Sequence, residues 1–278
     1  MSIFPFNVAM MEAVEQGLHP ITQAWLDQIG TNGDTEPTNT DDIDTMIRSL
    51  VDEGVLHETP SSGLADIFYI FSNDGDAGAS EVNVVDPTSF QITQVNSPGW
   101  TAADGFESNG SNSYLNTTFN MNTNKINMTT TSFGAITKLL LVDATELSTV
   151  FGADDNAGGS REAIRMIYRS GISAYRNFFG PISSRDYSVT PANDDTYLFN
   201  LVGTQPNIYK NGTLATSFST ISTPGAMPDA RIFIGALDFG GSATAFANHK
   251  YPFFLAGADL SGVQGAIDTI FDTYMATR

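Results

Sequence analysis

Apolar residues near the start of the chain recur at helical spacing. Ile21, Ala24, Trp25 and Ile29 fall three and four positions apart, and Pro20 suits a first helical turn, so the pattern predicts a helix over 21–29. The turn-forming run NGDTEPTNT interrupts it. A second stripe follows in Ile43, Ile47, Leu50 and Val51, with Asn39 or Thr40 available as a cap and Asp41, Asp42 and Asp44 at the positive helix end. Gly54, with Val55 beyond it, suits a left-handed stop. Helices this short are not stable alone, so Trp25, Ile29, Ile43, Ile47 and Leu50 call for a partner surface and are the candidate assembly residues.

From about Leu64 the pattern changes to short β-branched and aromatic runs separated by Gly, Asn, Asp, Ser and Pro. Strands are expected over 66–72, 113–119, 137–142, 163–170, 195–202, 207–210, 213–219, 231–237 and 250–255. Asn211-Gly212 supplies the two positive φ angles of a type I′ hairpin turn between two of these runs. No regular alternation of strand and helix accompanies them, which argues against a parallel βαβ sheet. A last helix is expected after 261–264, where Ser261 and Gln264 fit a capping box and Val263, Ile267, Ile270, Phe271 and Tyr274 form one stripe. The chain thus divides into a helical N-terminal attachment segment, 1–63, and a β domain, 64–278.

Composition narrows the partners. The chain has 278 residues, 41 % of them hydrophobic, enough for a sizeable core. Its 31 acids against 12 bases give a net charge of −19, which opposes nucleic acid and anionic membranes alike. There is no cysteine, so disulfides, thiolate nucleophiles and Cys-ligated metals are excluded. The opening MSIFPFNVAMMEAVEQ has no basic region and reaches Glu12 before completing an apolar stretch, so neither a signal peptide nor membrane insertion is expected. The sequons at Asn109, Asn116, Asn127 and Asn211 match what chance supplies in a chain so rich in Asn, Ser and Thr.

At this point the residues carry a resemblance. Residues 105–117 (GFESNGSNSYLNT) resemble the entry strand of laminin-G-like, concanavalin A-like jelly rolls, and Ile208-Tyr209-Lys210-Asn211-Gly212 is similar to the hairpin of that family. Ile232-Phe233-Ile234-Gly235-Ala236 resembles a later strand, and Leu260-Ser261 the lead into a terminal helix. Trp25, the Asn32-Gly33 turn, the run from Ile43 to Leu50 and Gly54 resemble lead segments of bacteriophage structural proteins that carry such a domain. The resemblance implies a mainly β, antiparallel two-sheet jelly-roll sandwich with helices at both ends. It implies a non-catalytic virion component of tail, collar or head surface, assembled in the host cytoplasm. Its partners would be other virion proteins, further copies of itself, or a host-surface glycan. The alternative is a free-standing carbohydrate-binding protein, with a glycanase as a third reading.

The chemistry-bearing residues are sparse. The paired-carboxylate strand signature of concanavalin A-like glycanases, E-x-D-x-x-E, is missing, and Glu81, Glu107, Glu146 and Glu162 stand apart. His19, His57 and His249 have no metal-ligand spacing, and no G-x-S-x-G elbow occurs. Asp74 with Asp76, and Asp154 with Asp155, lie in oxygen-rich loops suited to Ca²⁺, the one cofactor to consider, although turn formation alone accounts for both. Sugar stacking asks for an exposed aromatic, and Trp100, Tyr175 and Tyr187 are the candidates. The arginines Arg161, Arg165, Arg169 and Arg176 read as a salt-bridged sheet face.

Overall fold

Both N-terminal stripes fold as helices. In the computed structural model, which describes residues 17–140, 148–156, 163–169, 174–179, 183–187, 192–217 and 226–278, they are α1 (Pro20–Asn32) and α2 (Thr40–Asp52). His19 caps α1 by accepting the Ile21 N–H on Nδ1, and Gly33 ends it at φ 84°. Asn39 precedes α2 but makes no capping bond; its side chain accepts the Asp74 N–H and donates to the Tyr274 hydroxyl. The capping box expected at Ser261 does not form. The Asp259 carboxylate takes the Ser261 N–H, and α3 (Gln264–Met275) opens after Val263.

The described strands run in chain order as β1 (Ala65–Ile70), β2 (Thr93–Val95), β3 (Gly99–Thr101), β4 (Gly105–Glu107), β5 (Tyr114–Asn120) and β6 (Ser132–Leu139). Next come β7 (Ser148–Asp154), β8 (Ala163–Arg169), β9 (Ala174–Phe179), β10 (Ser183–Tyr187), β11 (Asp195–Val202) and β12 (Gln205–Lys210). The series ends with β13 (Thr213–Ser217), β14 (Arg231–Ile234), β15 (Leu237–Phe239), β16 (Ser242–Thr244), β17 (Lys250–Tyr251) and β18 (Phe253–Gly257). The β12–β13 hairpin turns at Asn211 (φ 48°) and Gly212 (φ 67°), as the sequence requires.

These strands make a six-stranded sheet, β1-β18-β6-β11-β12-β13, and a nine-stranded sheet built on β10-β9-β8-β7-β14-β5-β2. The expectation of two wholly antiparallel sheets needs two corrections. A small third sheet, β17-β4-β3, forms beside them, and β15 pairs with β7 in parallel. The parallel pair arises at Gly235, whose φ of 79° turns β14 back so that β15 returns along the strand β14 had just paired with.

The six-stranded sheet is buried on both faces. On one, Tyr69, Phe133, Phe199 and Phe254 meet Phe119, Val150 and Phe151 of the nine-stranded sheet in the sandwich core. On the other, Phe68, Ile70, Leu198, Phe253 and Leu255 pack against the three helices. Trp25, Ile29, Ile43, Ile47 and Leu50 belong to this second core and are fully buried. The Trp25 indole N–H donates to the Val82 carbonyl at 3.2 Å. These five residues therefore face the chain's own sheet, and the reading of them as a surface for other molecules is corrected: the partner that the amphipathic faces require is supplied by residues 65–70 and 253–255. Among the described residues no helix is long and apolar enough to cross a membrane.

Candidate functional site

The outer face of the nine-stranded sheet carries an aromatic platform. Along β5, Leu115 and Phe119 turn into the core while Tyr114 and Asn116 remain half-exposed on the opposite side. Asn116 stands opposite Phe233 of β14, which brings the Phe233 ring within 4.6 Å of the Tyr114 ring, centroid to centroid. Phe246, from the loop after β16, has its ring 6.0 Å from that of Tyr114, centroid to centroid, and is also half-exposed. Arg231 closes the row, its guanidinium carbon 5.3 Å above the Phe233 ring. Phe233 is the buried floor, and Tyr114, Phe246 and Arg231 are the groups that solvent reaches.

The polar groups of this platform are set by Asp238. It is buried, accepts N–H groups from the Arg231 backbone (3.0 Å) and Gly241 (2.8 Å), and pairs with Arg231 Nε at 3.4 Å. Among the described residues the Arg231 Nη groups and the Tyr114 hydroxyl have no protein hydrogen-bond partner. Burial, with the Asp238 charge added, pushes the Tyr114 hydroxyl above the ordinary tyrosine range although Arg231 opposes the shift, so the phenol keeps its proton. The arrangement offers an apolar ring surface, a hydroxyl that donates and accepts, and a cation within one small area.

A second polar feature lies at one end of the sandwich. An open cleft of about 430 Å³ is lined by Asp104, Glu107, Leu140, Asp194 and Lys250. Lys250 bonds Asp104 at 2.7 Å and lies 3.8 Å from Glu107. The Asp104 bond foremost raises the Lys250 pKa, so this lysine stays cationic and is unsuited to act as a base.

The residues singled out from sequence are placed differently. Trp100, on β3, donates its indole N–H inward to the Phe71 carbonyl and Ser80 Oγ, both at 3.0 Å, and packs against the sandwich core with part of the residue left exposed. Tyr175 and Tyr187 pair with each other in the β9–β10 register; their side chains lie outside the described residues. Asp74 accepts from Thr38 Oγ1 at 3.2 Å and pairs with Arg278. Asp76 accepts the N–H groups of Thr35 and Ala79; burial opposes its ionisation, but these bonds outweigh it and hold the carboxyl below the usual range. Asp154 is fully buried, 3.6 Å from Arg165, and accepts the Asn156 N–H, with Asp155 half-buried beside it. Both oxygen-rich loops thus use carboxylates to fasten the chain. Among the described residues no three His, Asp or Glu side chains converge on one point.

Tyr114, Arg231 and Phe246 were not singled out from sequence. The alternation along β5 marks Tyr114 as outward-facing, but nothing local joins it to residues more than a hundred positions later.

No family model matches the chain, and no curated protein is similar to it in sequence. Among solved structures, it is similar to the Trypanosoma rangeli sialidase in complex with 2,3-difluorosialic acid, at 14 % identity and a TM-score of 0.55, over 84 % of this chain and 40 % of that one. A mutant of that sialidase displaying trans-sialidase activity matches with a TM-score of 0.55 at 12 % identity, over 84 % and 39 %. The same enzyme in complex with sialic acid matches with 0.53 at 11 %, again over 84 % and 39 %. At such identities the likeness shows a shared β fold. The chain spans about 40 % of the length of the sialidases it matches.

Proposed function

We propose that this chain is a non-catalytic carbohydrate-binding module that holds a sugar on the Tyr114–Phe246–Arg231 platform. In this reading the two large sheets are a jelly roll of the concanavalin A-like kind that the sequence resembles. The observation that carries it is the meeting of two half-exposed rings with a hydroxyl and a guanidinium. Among the described residues the hydroxyl has no protein partner, and Asp238 holds the guanidinium by Nε while its Nη groups stay unbonded. Sugars present apolar C–H faces ringed by hydroxyls, and rings flanked by fixed polar groups match both. The bound sialic acid named for one structure of the shared fold suggests the ligand class. A carboxylated sugar suits Arg231, which can bond a carboxylate through two N–H groups at once. The chain's negative field is screened within about 8 Å at physiological salt, so a nearby arginine dominates locally.

Binding without hydrolysis is the favoured reading because Asp238, the carboxylate beside the platform, is buried and already engaged by Arg231 and Gly241. Sialidases use a tyrosine in place of the carboxylate nucleophile of other glycosidases, but burial keeps the Tyr114 hydroxyl protonated and Asp238 is already engaged. Titration of the ¹⁵N-labelled full chain with sialic acid, and separately with lactose, tests the proposal. The expected outcome is saturable shifts around Tyr114, Arg231 and Phe246, abolished by Tyr114→Ala, with the preference for sialic acid lost in Arg231→Gln. No response to either sugar, or release of free sugar from a sialoside, overturns it.

A further inference from the structure

We infer that the solvent side of the α2–α3 pair is a docking groove for a basic amphipathic helix of another protein. Two hollows of about 140 and 400 Å³ meet there, sharing Ser49, Thr269 and Ile270. One runs toward Asp42 and Thr277, the other toward Glu53 and Ala266, so the helices lie antiparallel along a single groove. From Ala266 to Thr277 it extends about 16 Å, three turns of a helix.

The floor of the groove is less polar than its sequence. Thr45 and Ser49 return their hydroxyls to the carbonyls of Asp41 and Thr45. Thr269 and Thr273 likewise bond the carbonyls of Gly265 and Thr269. With the hydroxyls spent on their own helices, the threonines offer methyl groups beside Met46 and Ile270, a surface that a third helix can bury.

Charge decides the occupant. Asp42 lies at one end of the groove and Asp52 and Glu53 at the other, and among the described residues none of the three has a basic partner. The neighbouring bases are already engaged: Arg48 by Asp44, Lys138 by Asp272 and Arg278 by Asp74. A second copy, at −19, would set acid against acid in a symmetric contact, so the complementary occupant is a helix with an Ala/Leu face and Lys or Arg at both ends. This groove lies on the helical layer and does not depend on the sugar-binding reading.

The test uses the full chain and a fluorescein-labelled synthetic Lys/Leu/Ala amphipathic helix of about four turns, with its scrambled sequence as control, read by anisotropy at physiological salt. The helix is expected to bind more tightly than the scramble. Thr273→Arg, exposed and therefore harmless to folding, is expected to weaken it about tenfold. The pair Asp52→Asn with Glu53→Gln is expected to weaken it several-fold, and Tyr114→Ala to leave it unchanged. Equal binding of the scramble, or insensitivity to Thr273→Arg, overturns the inference. So does concentration-dependent self-association of the full chain that Thr273→Arg removes, because the occupant would then be a second copy.

Discussion

The two large sheets meet across one core, yet their outer faces have opposite fates. The outer face of the six-stranded sheet bears Phe68, Ile70, Leu198, Phe253 and Leu255, and three helices cover it. The corresponding face of the nine-stranded sheet bears Tyr114, Asn116 and Arg231, left half-exposed around the buried Phe233. The difference lies in the strand sequences. β1 (ADIFYI), after Asp66, and β18 (FFLAG) are apolar at successive positions, and both are buried throughout, as strands between two layers must be. β5 (YLNTTFN) alternates, and an alternating strand has one face for solvent or ligand. Covering a face gives stability, and leaving one open leaves room for recognition.

The covered face is where substitution costs most. Phe271 of α3 stacks on Phe253 with ring centroids 3.6 Å apart and is tilted against Phe68 at 5.7 Å. Phe271→Ala is expected to lower unfolding free energy by about 3–5 kcal/mol, and Trp25→Ala by a similar amount, as measured by urea denaturation. A loss below about 1 kcal/mol for both would show the helices to be loosely attached, and the contrast between the faces would fail.

Next in size is a polar tie at the rim of the same sheet, on its core-facing side, where Asp195 and Lys210 share the parity of Tyr197 and Ile208. Asp195 lies 2.7 Å from Lys210 and accepts from Asn211 Nδ2 (2.7 Å) and the Tyr197 hydroxyl (2.9 Å). Burial raises its pKa, but these bonds outweigh burial and hold it below the ordinary 3.8. A carboxyl depressed in the folded state contributes stability that is present above the unfolded value and is lost as pH falls through the folded one. Asp195→Asn is therefore expected to cost about 1–2 kcal/mol at pH 7. It should also flatten the stability profile below about pH 4, and an unchanged acid limb would remove Asp195 from the account.

How much of this was legible follows the same division. The helical stripes, the Asn211-Gly212 turn and the nine expected strand runs rest on local spacing and appear within a few residues of where the spacing puts them, but β2, β3, β9, β10 and β16 were not expected. β7, with a polar start and a glycine at 152, gave no local signal. The requirement of Trp25 and Ile43 for a partner surface was readable, but its location was not. The clue was the unbroken apolar run of 67–71, which a one-sided strand does not need. The platform was less readable still, since Tyr114, Arg231 and Phe246 come together through strand pairing across more than a hundred residues. Trp100 is partly buried, with its N–H turned inward, which its turn-rich surroundings did not show.

On the open face the effect on stability should be small and the effect on binding large. Tyr114→Phe keeps the ring over Phe233 and removes a hydroxyl with no protein partner among the described residues. Its stability is expected to stay within about 0.5 kcal/mol of the parent, while sugar affinity falls by about threefold or more. Equal losses of both would make Tyr114 a structural residue and would leave the platform without its polar handle.

The smallest effect is expected where the helical cover ends. Leu198, Tyr209 and Leu214 stand opposite one another across β11, β12 and β13, on the same face of the six-stranded sheet. Leu198 is buried under the helical layer at 1 % exposure, whereas Leu214, on the edge strand, is 50 % exposed. The same substitution at the two positions therefore isolates the contribution of the cover. Leu198→Ala leaves a cavity between two layers and is expected to cost about 2–5 kcal/mol. Leu214→Ala leaves none, because solvent or a small rotation of neighbouring side chains fills the space, and it is expected to cost no more than about 0.5 kcal/mol. Comparable losses at both would mean that another part of the molecule reaches β13 in solution, and the boundary between the covered and open parts of this face would have to be moved outward by one strand.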